Sequence, residues 1–196
     1  MKSPTSALYH YPCNDDFEFC GALADYLKSL GRCVPASLAR GEPPAEGRGP
    51  HGKPYFTGPG LEGVFFSRSD TRGCVAVGFS SGEIGVDCEN IEARKDIETR
   101  YQEIAKRFFT EDEQEYIAAG ASGAIERFFG IWTAKEAYMK YTGGGFSEGF
   151  LSFSALKAPG VRIVTGRFED MPHIVYSVCA EDTGASFRVA CAYGRG

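Results

Sequence analysis

A chain of 196 residues with 43% hydrophobic and 13% aromatic side chains carries enough apolar material for a domain-sized core, which excludes a disordered chain. Its formal net charge of −5 disfavours a nonspecific nucleic-acid surface, which would be basic. The acidity is local: residues 83–126 hold 12 acidic and 5 basic side chains, and the remainder holds 14 acidic and 16 basic.

The opening MKSPTSALYHYP has two prolines, no leader-like pattern and no strong periodicity through residue 16. From there Phe17, Cys20, Leu23, Ala24, Leu27 and Leu30 recur at three- and four-residue steps, the spacing of an amphipathic helix stopped at Gly31. Residues 41–60 are rich in Gly and Pro and read as a long loop, or linker, with one short extended piece. Three β-rich runs follow, Gly63–Ser67, Cys74–Phe79 and Ile84–Glu89, and their tight turns predict an antiparallel meander. Helices come next. Ile97, Tyr101, Ile104 and Phe108 form one apolar face; a capping box of Thr110 and Glu113 starts a helix at 111; a third helix runs from Ala124 to Tyr141 and ends at Gly143–Gly145. Strands return at Gly149–Ser154, Val161–Thr165, His173–Ala180 and Ser186–Tyr193. The order predicts an α+β fold with antiparallel sheets packed on helices. The two β-rich portions fit two similar halves, 1–82 and 83–196, forming one unit.

No run approaches the roughly 18 apolar residues of a membrane span, so a cytoplasmic protein is expected. The seven cysteines are odd in number and lack a C-x-x-C pair, which suits buried free thiols better than a disulfide framework or zinc ribbon. Only three histidines occur, scattered at 10, 51 and 173, which makes zinc or His-triad catalysis a poor fit.

Two segments carry chemistry. In Gly85-Val86-Asp87-Cys88-Glu89 the two acids lie at i and i+2, so on a strand they project from one face about 7 Å apart. Such a pair suits a hard divalent cation such as Mg²⁺, although two solvated acids at a strand end look the same. In Trp132-Thr133-Ala134-Lys135-Glu136-Ala137-Tyr138-Met139-Lys140, a helix stacks Trp132, Glu136 and Lys140 at steps of four. Phe129 and Ile125 share that face, so Glu136 and Lys140 prolong a core-facing stripe. Half-buried charges need partners; a cation for Glu136 and an anion for Lys140 supply them, as does the plainer arrangement of a snorkelling Lys beside a peripheral Glu.

Together these segments resemble the G-[IV]-D-x-E and W-[ST]-x-K-E-[AS]-[YF]-x-K motifs of the 4'-phosphopantetheinyl transferase superfamily. Gly52-Lys53-Pro54-Tyr55 is similar to its G-K-P segment, and Phe65-Phe66-Ser67-Arg68-Ser69 stands where the family has F-N-[IL]-S-H-S. Ile104-Ala105-Lys106-Arg107-Phe108-Phe109-Thr110 resembles the helix that follows the metal motif. Order and spacing match the larger, monomeric Sfp type, with a shortened N-terminal region. The resemblance implies a fold of two pseudo-twofold halves. It implies transfer of the phosphopantetheine arm of coenzyme A to a serine of an acyl, peptidyl or polyketide carrier protein, with release of adenosine 3',5'-bisphosphate. It further implies that Asp87, Glu89 and Glu136 hold Mg²⁺. Glu136, or a water it positions, would act as base, Lys140 would bind the attacked phosphate, and Lys53, Ser67, Arg68 and Asp87 would contact the cofactor. Trp132 is expected in the core, and Lys135 in structure or product contact. Arg68 replaces the family's His and remains a competent phosphate donor.

The first helix opens with Asp15, Asp16 and Glu18, which would repel a phosphate. The grip on the cofactor's 3'-phosphate is therefore expected to be either lost or moved, to Arg32, Arg40, Arg48 or Arg68. Arg94, Lys95, Arg100, Lys106 and Arg107 offer an acidic carrier a docking surface, or else form a salt-bridged helix face with Glu92, Glu98 and Glu103. A binding module without catalysis and a Mg²⁺-dependent nucleotide phosphohydrolase are the alternative functions.

Overall fold

The computed structural model describes residues 6–12, 15–120, 122–145, 149–158, 160–181 and 187–191. Two main sheets pack on each other, with the helix of residues 16–29 covering the first and the helix of residues 124–142 covering the second. The first sheet has the order β4-β5-β1-β9, built from β1 (Ser6–Tyr11), β4 (Phe65–Thr71), β5 (Cys74–Ser80) and β9 (Phe187–Cys191). The second has the order β6-β8-β7, from β6 (Ile84–Asn90), β7 (Val161–Arg167) and β8 (Ile174–Glu181). Every described pairing is antiparallel except that of β1 with β9.

The strand β1 lies in a stretch without readable periodicity, and its surroundings explain why. All six of its residues are buried. Ala7, Tyr9 and Tyr11 enter the core beneath α1 (Asp16–Ser29), and Leu8 enters the core between the sheets. A strand covered on both faces needs no polar alternation. The predicted helix is α1, and Asp15 caps it by accepting the backbone N–H of Phe17 at 2.7 Å. The Gly/Pro loop contains α2 (Ala36–Ala39) and a small hairpin of β2 (Glu46–Arg48) and β3 (Pro54–Phe56). Phe56 of that hairpin stacks on Phe66 at 4.3 Å.

The predicted meander is corrected at its third strand: β6 leaves β5 and pairs with β8. Along β6, Ile84, Val86 and Cys88 face the inter-sheet core, which turns Gly85, Asp87 and Glu89 toward α6 (Ala124–Thr142). The edge of β6 meets β4 through hydroxyls rather than a backbone ladder. Ser67 Oγ accepts the Val86 N–H at 2.9 Å, and Thr71 Oγ1 accepts the Asn90 N–H at 3.1 Å.

Between these strands the chain forms α3 (Lys95–Glu98), α4 (Tyr101–Phe108) and α5 (Glu111–Ala118), the last with the expected capping box. Gly143, at φ 72°, closes α6 in the left-handed conformation that glycine tolerates, and its N–H bonds to the Met139 carbonyl. The predicted strand at Gly149–Ser154 is corrected: Phe150–Ser152 form a 3₁₀ turn. The Phe150 and Phe153 carbonyls wrap the Lys135 ammonium and are thereby lost to a ladder. Of the predicted strand Ser186–Tyr193, β9 covers the described part; Ser186, Ala192 and Tyr193 lie outside the described residues. No helix among the described residues is long and apolar enough to cross a membrane.

Candidate active site

The site forms where α6 crosses β6 at backbone contact. A Cβ built on Gly85 would lie 1.9 Å from the Ala137 carbonyl oxygen and 2.4 Å from the Tyr141 nitrogen, so only glycine admits the helix this close. The approach sets Glu136 and Lys140 of α6 beside Asp87 and Glu89 of β6. Lys140 Nζ donates to Asp87 Oδ1 at 2.8 Å, and Ser69 Oγ of β4 donates to the same oxygen at 2.8 Å. Burial pushes the Asp87 carboxyl up, against the opposing pull of Lys140 and Ser69. Glu89, its side chain 15% exposed, accepts from Arg94 Nη1 at 2.8 Å. Its carboxyl is also raised by burial, with Arg94 working the other way.

Glu136 differs from both. Among the described residues its carboxylate has no hydrogen-bond or ion-pair partner. Burial first, then the charge of Asp87, pushes it up to about 7. That value suits a group exchanging protons near neutrality.

Glu136 and Lys140 open onto a cleft of about 420 Å³ that also includes Arg48, His51, Lys53, Ser67 and Arg68. A second cleft of about 690 Å³ adjoins it and shares His51, Lys53, Pro54, Phe66 and Gly143. His51 sits at the shared rim with φ 60°, the sole non-glycine positive φ among the described residues. Six residues singled out from sequence thus line one cavity: Arg48, Lys53, Ser67, Arg68, Glu136 and Lys140. Asp87 and Glu89 are off its wall, and Asp87 is reached through Lys140.

Some of these residues are already engaged. Lys53 Nζ donates to Glu83 and, at 2.6 Å, to the Tyr141 carbonyl, where a cation complements the end of α6. Ser67 Oγ already accepts the Val86 N–H. Arg68 lies 5.8 Å over the Phe19 ring and has no carboxylate partner among the described residues, which leaves its guanidinium available to an anion. The four candidate arginines separate clearly. Arg32 is bonded to the Gly60 and Glu62 carbonyls and Arg40 to Glu42; Arg48 and Arg68 line the cleft, Arg48 while donating to the Gly52 carbonyl at 3.2 Å and lying 3.8 Å from Glu46.

Lys135 is structural: it is fully buried, 3.0 Å from Glu113. Trp132 is half-buried against the core, stacked on Phe150 at 5.2 Å. Arg94, offered by the sequence either to a docking surface or to a salt-bridged helix face, pairs with Glu89 and lies 3.8 Å from Asp96. Sequence reasoning missed Ser69 and Glu83. Ser69 could have been found from its two-residue offset from Ser67 on one strand face.

The donor set of Asp87, Glu89 and Glu136 consists of hard carboxylate oxygens, the kind Mg²⁺ takes, and the unpartnered Glu136 fits a cation. Among the described residues, no three such side chains are gathered as a metal cage. The physical reason is that Lys140 and Ser69 draw Asp87, while Arg94 draws Glu89.

The two motifs, their contact across Gly85 and the basic cleft define a member of a recognisable class. The model of the 4'-phosphopantetheinyl transferase superfamily matches residues 83–192, more than half of the chain, and the chain belongs to that superfamily. It is similar to the 4'-phosphopantetheinyl transferase psf-1 of Bacillus pumilus, at 36% identity over 91 residues covering 46% of this chain and 36% of the relative. It is similar to the 4'-phosphopantetheinyl transferase Sfp of Bacillus subtilis, at 35% over 105 residues covering 53% and 43%. It is also similar to the 4'-phosphopantetheinyl transferase HetI of Nostoc, at 35% over 83 residues covering 42% and 33%. The chain thus spans less than half the length of these curated relatives.

Proposed function

We propose that this chain is a Mg²⁺-dependent, cytoplasmic and monomeric 4'-phosphopantetheinyl transferase. It moves the phosphopantetheine group of coenzyme A to a serine hydroxyl of an acyl, peptidyl or polyketide carrier protein. The observation that carries this reading is the half-buried, unpartnered Glu136 beside Lys140 and Asp87 in a cleft that also presents Arg68. Asp87, Glu89 and Glu136 would hold Mg²⁺, which offsets negative charge on the pyrophosphate. Glu136 takes the serine proton as the serine oxygen forms its bond to phosphorus. The pyrophosphate P–O bond breaks, and adenosine 3',5'-bisphosphate leaves with the electron pair. Lys140 steadies the attacked phosphate. Arg68 and Arg48 take the cofactor's remaining phosphate charge, and Lys53 fixes the cleft wall by tying the 52–54 segment to the end of α6. Lys95, Lys106 and Arg107 offer an acidic carrier a basic approach. The sheet-and-helix units, 1–82 and 83–196, are read as pseudo-twofold halves, joined by β9 pairing with β1 into one unit.

The test is to incubate the protein with coenzyme A, Mg²⁺ and several apo carrier proteins, then weigh the carriers. A mass gain of one phosphopantetheine group that disappears in Glu136→Ala is expected. Absence of any gain, or full activity of that variant, overturns the proposal.

A further inference from the structure

Asp87 is held from two directions. Lys140 reaches Oδ1 from α6, and Ser69 reaches the same oxygen from β4, each at 2.8 Å. No other side chain among the described residues donates to Asp87. A carboxylate turns about a broad terminal torsion, so a single donor leaves its plane poorly set, and two donors from different elements fix it. The two are not equivalent. Lys140 is 33% exposed on the cleft wall, where an anion can draw it away. Ser69 is 8% exposed and sits on a strand between two hydroxyl bridges, Ser67 to Val86 and Thr71 to Asn90. It stays when Lys140 moves.

We propose that Ser69 is a positioning residue for Asp87: its hydroxyl keeps Oδ1 occupied and so fixes which carboxylate oxygen remains for a divalent cation once Lys140 turns to a phosphate. The inference rests on reading Asp87 as a metal ligand. Partners that orient a metal ligand commonly change affinity by about 10–100-fold when removed, although they never touch the ion.

Thr71 supplies the control. Its hydroxyl belongs to the same seam and makes the same kind of bridge, and it touches no carboxylate. The experiment is a titration of the full chain with Mn²⁺, read by electron paramagnetic resonance of the free ion. Wild type is compared with Ser69→Ala, Ser69→Cys, Thr71→Val and Asp87→Asn, each with its melting temperature. Cysteine is close to serine in shape and a weak donor, so Ser69→Cys keeps the test alive if Ser69→Ala does not fold. Expected are binding by wild type, loss in Asp87→Asn, weakening of about 10-fold or more in the Ser69 variants, and wild-type affinity in Thr71→Val despite a lower melting temperature. Wild-type affinity in the folded Ser69 variants overturns the positioning role alone, as does equal weakening in Thr71→Val. A wild type that binds no Mn²⁺, or unchanged binding in Asp87→Asn, overturns the metal reading and this inference with it.

Discussion

Gly85 is the position on which the site's geometry turns, and Gly85→Ala tests that directly. The added methyl would start 1.9 Å from the Ala137 carbonyl oxygen, and real Cβ atoms essentially never come within 3.0 Å of a neighbour. The clash is with helix backbone, so no side-chain rotation relieves it. The helix must retreat by about 1 Å, a displacement that alone can cost about 100-fold in rate. That retreat carries Lys140 beyond hydrogen-bond reach of Asp87, from its present 2.8 Å. Overpacking of this kind costs about 1–3 kcal/mol. Urea unfolding monitored by Trp132 fluorescence should therefore show a lower midpoint. Transfer to a carrier protein should fall about 100-fold in protein confirmed to be folded. A variant with the wild-type midpoint and rate would refute the claim that backbone contact at Gly85 sets the site.

Two further outcomes follow from buried charges. Glu113→Gln removes the counter-charge of Lys135, leaving its ammonium to the Phe150 and Phe153 carbonyls, with both side chains fully buried, and should destabilise the fold by about 3–5 kcal/mol in denaturant titration; a Glu113→Gln, Lys135→Met pair should recover much of that loss. For Glu136, folding raises the carboxyl from its ordinary 4.5 to about 7, so the folded state binds more protons than the unfolded state across that window. Stability in chelator-treated protein should therefore fall as pH rises from about 4.5 to 7, and Glu136→Gln should flatten that slope in melting curves. A slope unchanged in the variant would show that other groups carry it.

What the sequence disclosed follows a physical rule. Local codes were legible: the apolar steps of α1, the Thr110–Glu113 capping box and the glycine stop of α6 are each written within a few residues. Pairing partners were not. A strand with both faces buried, such as β1, lacks alternation, and its neighbours β5 and β9 lie far along the chain. The departure of β6 from the meander was hidden for a related reason: its edge is satisfied by Ser67 and Thr71 hydroxyls, and no turn signal announces a side-chain bridge. Site residues divided likewise. Residue type and spacing brought out Glu136 and Lys140, whereas their partners depend on which strand lies opposite. Arg94 therefore looked like a docking or helix-face cation and is the counter-charge of Glu89.

These partners clarify how an acidic stretch could serve the polyanionic cofactor of the proposed function. Lys140 balances Asp87 and Arg94 balances Glu89, which leaves Glu136 as the one of the three carboxylates without an ion pair among the described residues, raised by burial first and then by the charge of Asp87. On the proposed function, a cation held by Glu136 and Asp87 brings positive charge beside Lys140 and so weakens the hold of Asp87 on that lysine. Lys140 displaced from Asp87 is a free ammonium on the cleft wall near Arg68. Cation binding and phosphate binding are thereby coupled through one lysine. Each should strengthen the other, by the reciprocity that any shared equilibrium imposes. Lys140→Met should weaken that mutual effect even where each ligand still binds alone.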